Sequence, residues 1–232
     1  MIAGVEMACL NYFKLWDKYL IARSDSCITS MSIPILEEPQ FNNYAKMMKL
    51  WDFDTIKIKS GIDLPLWLIK QIAKKGKYQV SIDYNEALPD LETIENHLVQ
   101  LSHFDNIKFI EQPFKSTNID LYKKLKKISN YPIIIDETIT TEIITQEYRE
   151  ICDGVNFKVM KSGGIIQTLK QIKSARDNNL ICMLGCMIES SLSISSYVKI
   201  SSLVDYKDLD GSLFLKDDPF MKISLDNGII TI

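Results

Sequence analysis

Histidine, glycine and proline are scarce in this chain, and no charge dominates it. Two histidines and five cysteines (Cys9, Cys27, Cys152, Cys182 and Cys186) fall short of a zinc site. The Cys182/Cys186 pair lacks the second pair, or the histidines, that zinc needs. An odd cysteine count, with most of them in or beside apolar segments, reads as reduced, buried thiols of a cytoplasmic protein. With 9 Gly and 7 Pro there is no linker or low-complexity stretch, which argues against disorder. The net charge of −3 comes from 27 basic and 30 acidic residues spread evenly, leaving no footprint for nucleic acid or anionic lipid. A small-molecule partner fits better. A membrane-length apolar run is also missing. The opening segment places Val5, Cys9, Tyr12, Trp16 and Leu20 at helical spacing, interrupted by Glu6, Lys14, Asp17 and Lys18, so it is neither a signal peptide nor a span.

What is present is 46% hydrophobic residues, ample for one large core. Short β-rich runs begin near residues 28, 55, 78, 107, 132, 155, 180 and 205, at spacings of 23 to 29 residues. Segments of helical period separate them, such as Leu91, Ile94, Leu98 and Leu101, or Ile166, Leu169 and Ile172. Eight strands with seven intervening helices predict an α/β fold, a TIM-like (β/α)7β barrel of parallel strands. A leading helix over residues 3 to 21 precedes it, and a hairpin around Asn227-Gly228 follows. The expected organisation is 1–26 for the leading helix and linker, 27–211 for the barrel and 212–232 for the tail.

Three of the apolar runs end in a single acid: YQVSID at Asp83, IKFIE at Glu111 and PIIID at Asp136. Acids at the C-terminal ends of consecutive parallel strands emerge at one rim, where their oxygens can converge on Mg2+. The run Thr55-Ile56-Lys57-Ile58-Lys59 sends both lysines to one strand face. Standing alone they could be surface lysines; beside three acids, a like-charged neighbour and a cation would lower a lysine pKa toward neutrality and make a base. Lys158 faces inward on the sixth predicted strand if Phe157 packs outward. The turn Lys161-Ser162-Gly163-Gly164 after it offers free N–H groups that could hold a carboxylate, without the spacing of a P-loop.

In order along the chain, Lys57-x-Lys59, Asp83-x-Asn85, Ile110-Glu111-Gln112-Pro113, Asp136-Glu137 and Lys158 resemble the enolase superfamily, within it the muconate-lactonising subgroup. The segments 156–164, Cys182 to Ser190 and Asp208-Leu209-Asp210-Gly211 are similar to those of the dipeptide epimerases of L-Ala-D/L-Glu type. The resemblance implies Mg2+ on Asp83, Glu111 and Asp136, with Asn85, Gln112 and Glu137 standing behind these ligands. It implies that Lys59 and Lys158 exchange the proton α to a carboxylate on its two faces, with Lys57 tuning a pKa or touching the carboxylate. Asp208 and Asp210 would receive the ammonium of a dipeptide, and Ser32 and Met187 would touch substrate. The stretch Asp83-Tyr84-Asn85-Glu86-Ala87 departs from the usual pattern by placing Tyr84 and an extra acid, Glu86, near the metal strand. His97 and His103 are expected to be structural or solvent-facing.

Members of this superfamily carry an α+β capping domain before the barrel, and this sequence begins at the helix that should follow it. The expectation is therefore a truncated epimerase barrel, active only if a cap is supplied by a separate polypeptide or by part of the gene not shown, with a homo-oligomer or a separately encoded cap as its partner. Met7, Phe13, Trp16 and the Ile229-Ile230 tail are expected to be partly exposed. Two other readings remain open. An o-succinylbenzoate synthase or N-acylamino acid racemase shares the lysines and acids but does not need Asp208 and Asp210. A decayed barrel would bind Mg2+ or a partner without catalysis.

Overall fold

Short β-branched runs set the strands, and the amphipathic stretches between them set the helices. The computed structural model describes residues 2–20, 23–76 and 78–232. From the N-terminus run α1 (Ile2–Tyr12), α2 (Trp16–Tyr19), β1 (Ser26–Ile28), β2 (Met31–Ile33), α3 (Glu38–Met47), β3 (Thr55–Lys59), α4 (Leu66–Ala73), β4 (Gln79–Asp83), α5 (Leu91–Leu101), β5 (Ile107–Glu111) and α6 (Ile119–Ile128). Then follow β6 (Ile133–Ile135), β7 (Gly154–Lys158), α7 (Val159–Ser162), α8 (Ile165–Asp177), β8 (Ile181–Gly185), α9 (Ser191–Val198), β9 (Tyr206–Asp208), β10 (Ser224–Asp226) and β11 (Ile229–Thr231). Strands β2 to β9 take sequential places in the sheet with helices between them, the order of a TIM-like α/β barrel. Among the described residues no helix is long and apolar enough to cross a membrane.

Three local expectations are corrected. The first predicted strand, ITSMSI from Ile28, splits in two: Ile28 closes β1, which pairs antiparallel with β11, and the barrel strand is β2. The cause is Thr29, whose N–H goes to Gly228 O (2.9 Å) and whose hydroxyl accepts from Leu209 N (2.8 Å). The leading helix stops at Tyr12, turns through Lys14 at φ +54°, and resumes at Trp16; residue 21, its expected end, lies outside the described residues. Between β6 and β7 the chain forms a 3-10 turn, Gln146–Glu150, in place of the fifth of the seven expected intervening helices.

The chain divides into two compact units. One holds residues 30–138 and 146–154. Its parallel register runs Ile58↔Ile82 and Lys59↔Asp83, then Ile82↔Ile110 and Asp83↔Glu111. Ile56, Ile58, Val80, Ile82, Ile110 and Ile133 are fully buried, so β3 to β6 are held by apolar burial on the order of 1.5–3 kcal/mol per side chain. Tyr84 turns away from the acids into this core. It stacks on His97 of α5 at 5.7 Å between centroids, its hydroxyl 3.1 Å from His97 Nδ1. Glu86 accepts from Ser116 N (2.5 Å) and so secures the loop after β5. His97 is buried and His103 exposed.

The other unit holds residues 1–29, 139–145 and 155–232. Within it α1 packs against α8 and α9 through Ala3, Met7 and Leu10. Met7 and Trp16 are buried, contrary to expectation. Trp16 donates to Asn11 Oδ1 (2.8 Å), and the Lys199 ammonium lies 4.8 Å from its ring centroid. Phe13 is exposed; in the tail Ile229 is exposed while Ile230, paired with Cys27, is buried. The expected hairpin forms, with Asn227 (φ +48°) and Gly228 (φ +71°) supplying the left-handed pair its tight turn requires. On α8 the buried stripe is Ile165, Thr168, Ile172 and Ala175 with Gln171, one step off the apolar stripe read from sequence. Gln171 is buried because its amide donates to Thr140 O and Glu142 O, both at 2.8 Å.

Candidate active-site clusters

Parallel register puts the ends of β3, β4 and β5 side by side, and with them Lys59, Asp83 and Glu111. Asp83 and Glu111 are fully buried, and a buried carboxylate costs several kcal/mol unless it is paired. Lys57, itself 2% exposed, answers both: its Nζ lies 3.2 Å from Asp83 Oδ2 and 3.3 Å from Glu111 Oε2. Lys59 Nζ sits 2.6 Å from the same Asp83 oxygen and 2.8 Å from Asn85 Oδ1. Asn85, at φ +43°, folds back so that its N–H reaches Asp83 Oδ1 (3.0 Å) and its amide reaches Glu137 Oε1 (3.1 Å). Ser32 is the register partner of Lys57, and its carbonyl accepts from the Tyr44 hydroxyl.

Gln112 ties β5 to the end of β6. It is fully buried at φ +39°, and its Oε1 accepts from Asp136 N (2.7 Å) while its Nε2 donates to Thr138 Oγ1 (2.9 Å) and Phe114 O (3.2 Å). Burial, reinforced by the Asp136 charge, pushes the Glu137 carboxyl up, and the Asn85 hydrogen bond opposes this. Among the described residues no three His, Cys, Asp or Glu side chains are gathered as a metal cluster: Asp83 and Glu111 are neighbours, and Asp136 is not brought into a triad with them. The donor chemistry nonetheless suits a hard divalent cation. The network sets four carboxylates (Asp83, Glu111, Asp136 and Glu137) against two ammonium groups, and Glu137 Oε2 is buried without a hydrogen-bond partner among the described residues. A cavity of about 600 Å3 elsewhere in this unit, between α6 and the 3-10 turn, touches the network only through Thr138.

The second unit carries Lys158, Asp208, Asp210 and Met187. Lys158 ends β7, a single turn of helix (α7) follows, and Gly163 (φ +96°) and Gly164 (φ +151°) lead into α8. Within this turn Gly163 N bonds Val159 O, and just beyond it a carboxylate of the chain itself is seated. Glu6 of α1 accepts from Ile166 N at 2.7 Å across 160 residues. Nothing in the sequence flags Glu6, which reads there only as a charge interrupting an apolar helix.

Asp208 and Asp210 are buried at the end of β9, and Asp208 is the register partner of Gly185. Gly211 packs onto the segment after β8: its N–H reaches Cys186 Sγ (3.3 Å), and a Cβ there would lie 2.0 Å from the Met187 carbonyl oxygen. Met187 is thereby brought beside Asp210-Gly211, with its side chain half exposed. Burial first, then the Asp208 and Asp210 charges, push the Cys186 thiol well above its ordinary value, so it stays protonated. Glu189, absent from the sequence expectations, accepts from Met187 N (3.0 Å) and from the Tyr197 hydroxyl, fixing the loop.

The profile of the Enolase C-terminal domain-like family matches residues 41–228. The L-Ala-D/L-amino acid epimerase of Flavobacterium johnsoniae is 32% identical over 187 residues, 81% of this chain and 55% of that protein. The L-amino acid-D/L-Glu epimerase of Sulfurimonas denitrificans is 30% identical over 230 residues, 94% of this chain and 66% of that protein. This chain thus spans between half and two thirds of these relatives' length. A solved dipeptide epimerase from Methylococcus capsulatus, complexed with Mg and the dipeptide L-Arg-D-Lys, is similar with a TM-score of 0.83 at 24% identity. That match covers 100% of this chain and 69% of the other, and it is a likeness of fold.

Proposed function

The chain belongs to the enolase C-terminal domain-like family, and from that premise we propose that it is the barrel of a metal-dependent epimerase acting at the carbon α to the carboxylate of a dipeptide. The observation that carries this reading is the buried network of Lys57 and Lys59 with Asp83 and Glu111. A purely structural role would not need Lys57 and two acids taken out of water, with the partly buried Lys59 beside them, at adjacent strand ends. The relatives that are named dipeptide epimerases support the substrate class.

Asp83, Glu111 and Asp136 would hold Mg2+, as the magnesium-bound neighbour suggests. When bound, the ion would neutralise the negative charge that develops on the substrate carboxylate as the α proton leaves. Lys59 removes or returns that proton on one face of the carbon, and Lys158 does so on the other. Lys57 holds Asp83 and Glu111 in place through its two ion pairs. Gln112 fixes Asp136 through its backbone N–H, and Asn85 fixes Asp83 and Glu137. Asp208 and Asp210 receive the dipeptide ammonium, with Met187 beside them; Ser32 contacts substrate from β2. Water must be excluded for the proton transfer to be efficient. The reading therefore requires a cover over the site, supplied by a separate polypeptide or by a part of the protein outside this sequence. The free cysteines support a reducing, cytoplasmic setting.

The test is substrate choice. Removing one partner of a desolvated charge pair costs about 2–5 kcal/mol, so Asp210→Asn should lower dipeptide turnover by more than about tenfold. Turnover of an N-succinyl amino acid, which has no ammonium, should fall much less. If the unaltered protein instead prefers the N-succinyl substrate, the epimerase reading gives way to an N-acylamino acid racemase.

A further inference from the structure

We infer that Glu6 is a positioning residue for Lys158, acting through the start of α8; the inference rests on the proton-transfer role proposed above for that lysine. The first turn of a helix leaves N–H groups that need acceptors, and a negative charge there is favoured by the helix dipole. The 13-residue α8 has no cap of its own: its N-cap is Gly164, and its first turn contains no acid. Glu6 supplies both from α1, its Oε1 taking Ile166 N at 2.7 Å. Room for it exists only because residue 164 lacks a side chain, since a Cβ there would lie 2.0 Å from Glu6 Oε2. Gly164 also stands at φ +151°, a conformation that other residues rarely adopt.

Between this clamp and Lys158 there is one helical turn, α7, closed by Gly163 N to Val159 O (3.1 Å). With Glu6 in place, Lys158 is followed by a turn anchored at both ends. Without it, Gly163 and Gly164 are adjacent permissive residues and the turn gains freedom. Lys59 has no such dependence, because its ammonium is held directly by Asp83 and Asn85 in the other unit. Loss of Glu6 should therefore affect the two lysines unequally, which loss of overall stability would not do.

The experiment compares the full chain with Glu6→Ala, Glu6→Gln and, as a control at an exposed helix start, Glu92→Ala. Glu6→Asp substitutes if the alanine variant fails to fold. Amide hydrogen exchange is read at Ile166 and across residues 158–166, and deuterium wash-in at carbon α is read from L-Ala-L-Glu and L-Ala-D-Glu in heavy water. Losing a helix cap should speed Ile166 exchange at least about fivefold in Glu6→Ala while β4 and β5 stay protected. Misplacing a reacting group slightly can cost on the order of a hundredfold. Wash-in from the epimer that depends on Lys158, identified with Lys158→Ala, should accordingly fall at least about tenfold relative to the other. Glu6→Gln keeps an acceptor oxygen in place and should recover most of both effects. Unchanged exchange at Ile166, or an equal loss of wash-in from both epimers, overturns the inference. If Lys158→Ala spares both epimers, it is the proton-transfer reading that fails; no wash-in by the uncovered chain is what its need for a cover predicts. The exchange at Ile166 then still decides whether Glu6 holds the turn.

Discussion

The unit that carries the acids and the unit that carries Lys158 hold their polar groups by different means. In the first, Lys57, Lys59, Asp83 and Glu111 are bonded to one another, and the register of adjacent parallel strands brings them together. In the second, contacts distant in sequence fix the backbone around the groups of interest: Glu6 on Ile166, Thr29 on Leu209, and Gly211 against Cys186 and Met187. A network of mutually bonded charges fails when one charge is removed, because its partner is left buried and unpaired. A backbone clamp fails when space or a single acceptor is lost, and the damage stays local.

That contrast can be broken most directly at Lys57. Breaking a buried ion pair by removing one partner costs about 3–5 kcal/mol, so Lys57→Met should lower the urea midpoint sharply in metal-free buffer. Added Mg2+ should restore more stability to the variant than to the unaltered chain, since the ion replaces the missing charge. Equal Mg2+ effects in the two proteins would show that the acids are not one cation site. In the second unit the corresponding change is steric. Gly211→Ala drives a methyl into the Met187 carbonyl, and overpacking of this kind costs about 1–3 kcal/mol. Gly4→Ala, which meets nothing within 4 Å on α1, should instead be neutral or slightly stabilising by the same denaturation assay.

A smaller effect separates the units by pH. Burial pushes the His97 imidazole down from its ordinary value of 6.5, against the opposing influence of the Ile62 carbonyl and the Asp63 charge. Below that value the unfolded chain binds a proton that the folded chain resists. The His97 contribution is therefore fully present above about pH 6.5 and is lost as pH falls toward the depressed folded value. Melting curves from about pH 7 to about pH 5 should decline less steeply for His97→Phe than for the unaltered protein. Parallel profiles would remove His97 as the source. The smallest effect belongs to Arg176 and Asp205, a half-exposed pair at 2.7 Å. Arg176→Ala should cost no more than about 1 kcal/mol and should lose part of that cost in high salt; a larger, salt-independent loss would point instead to its bond with Leu203 O.

The barrel strands after the first, and the acids and lysines at their ends, were legible in the sequence, because the code for a buried parallel strand is local. Ile56-Lys57-Ile58-Lys59 alternates with period two, and Ile133-Ile134-Ile135 is apolar throughout, as strands covered on both faces are. The sequence also determined the hairpin at Asn227-Gly228, where two left-handed residues are a local requirement. Only the tertiary structure decided where Tyr84 points, since a residue at a strand end can turn either to the rim or to the core, and the stacking partner His97 lies on the next helix. It alone decided that Met7 and Trp16 are covered, that Thr29 cuts the first predicted strand in two, and that Thr168 and Gln171 are buried on α8. Thr29 and Gln171 are satisfied by partners well separated along the chain, and periodicity carries no information about such partners. Glu6 is a further case: Gly164, which makes room for its carboxylate, and Ile166, whose N–H it accepts, lie about 160 residues away, so only folding could reveal what that acid holds.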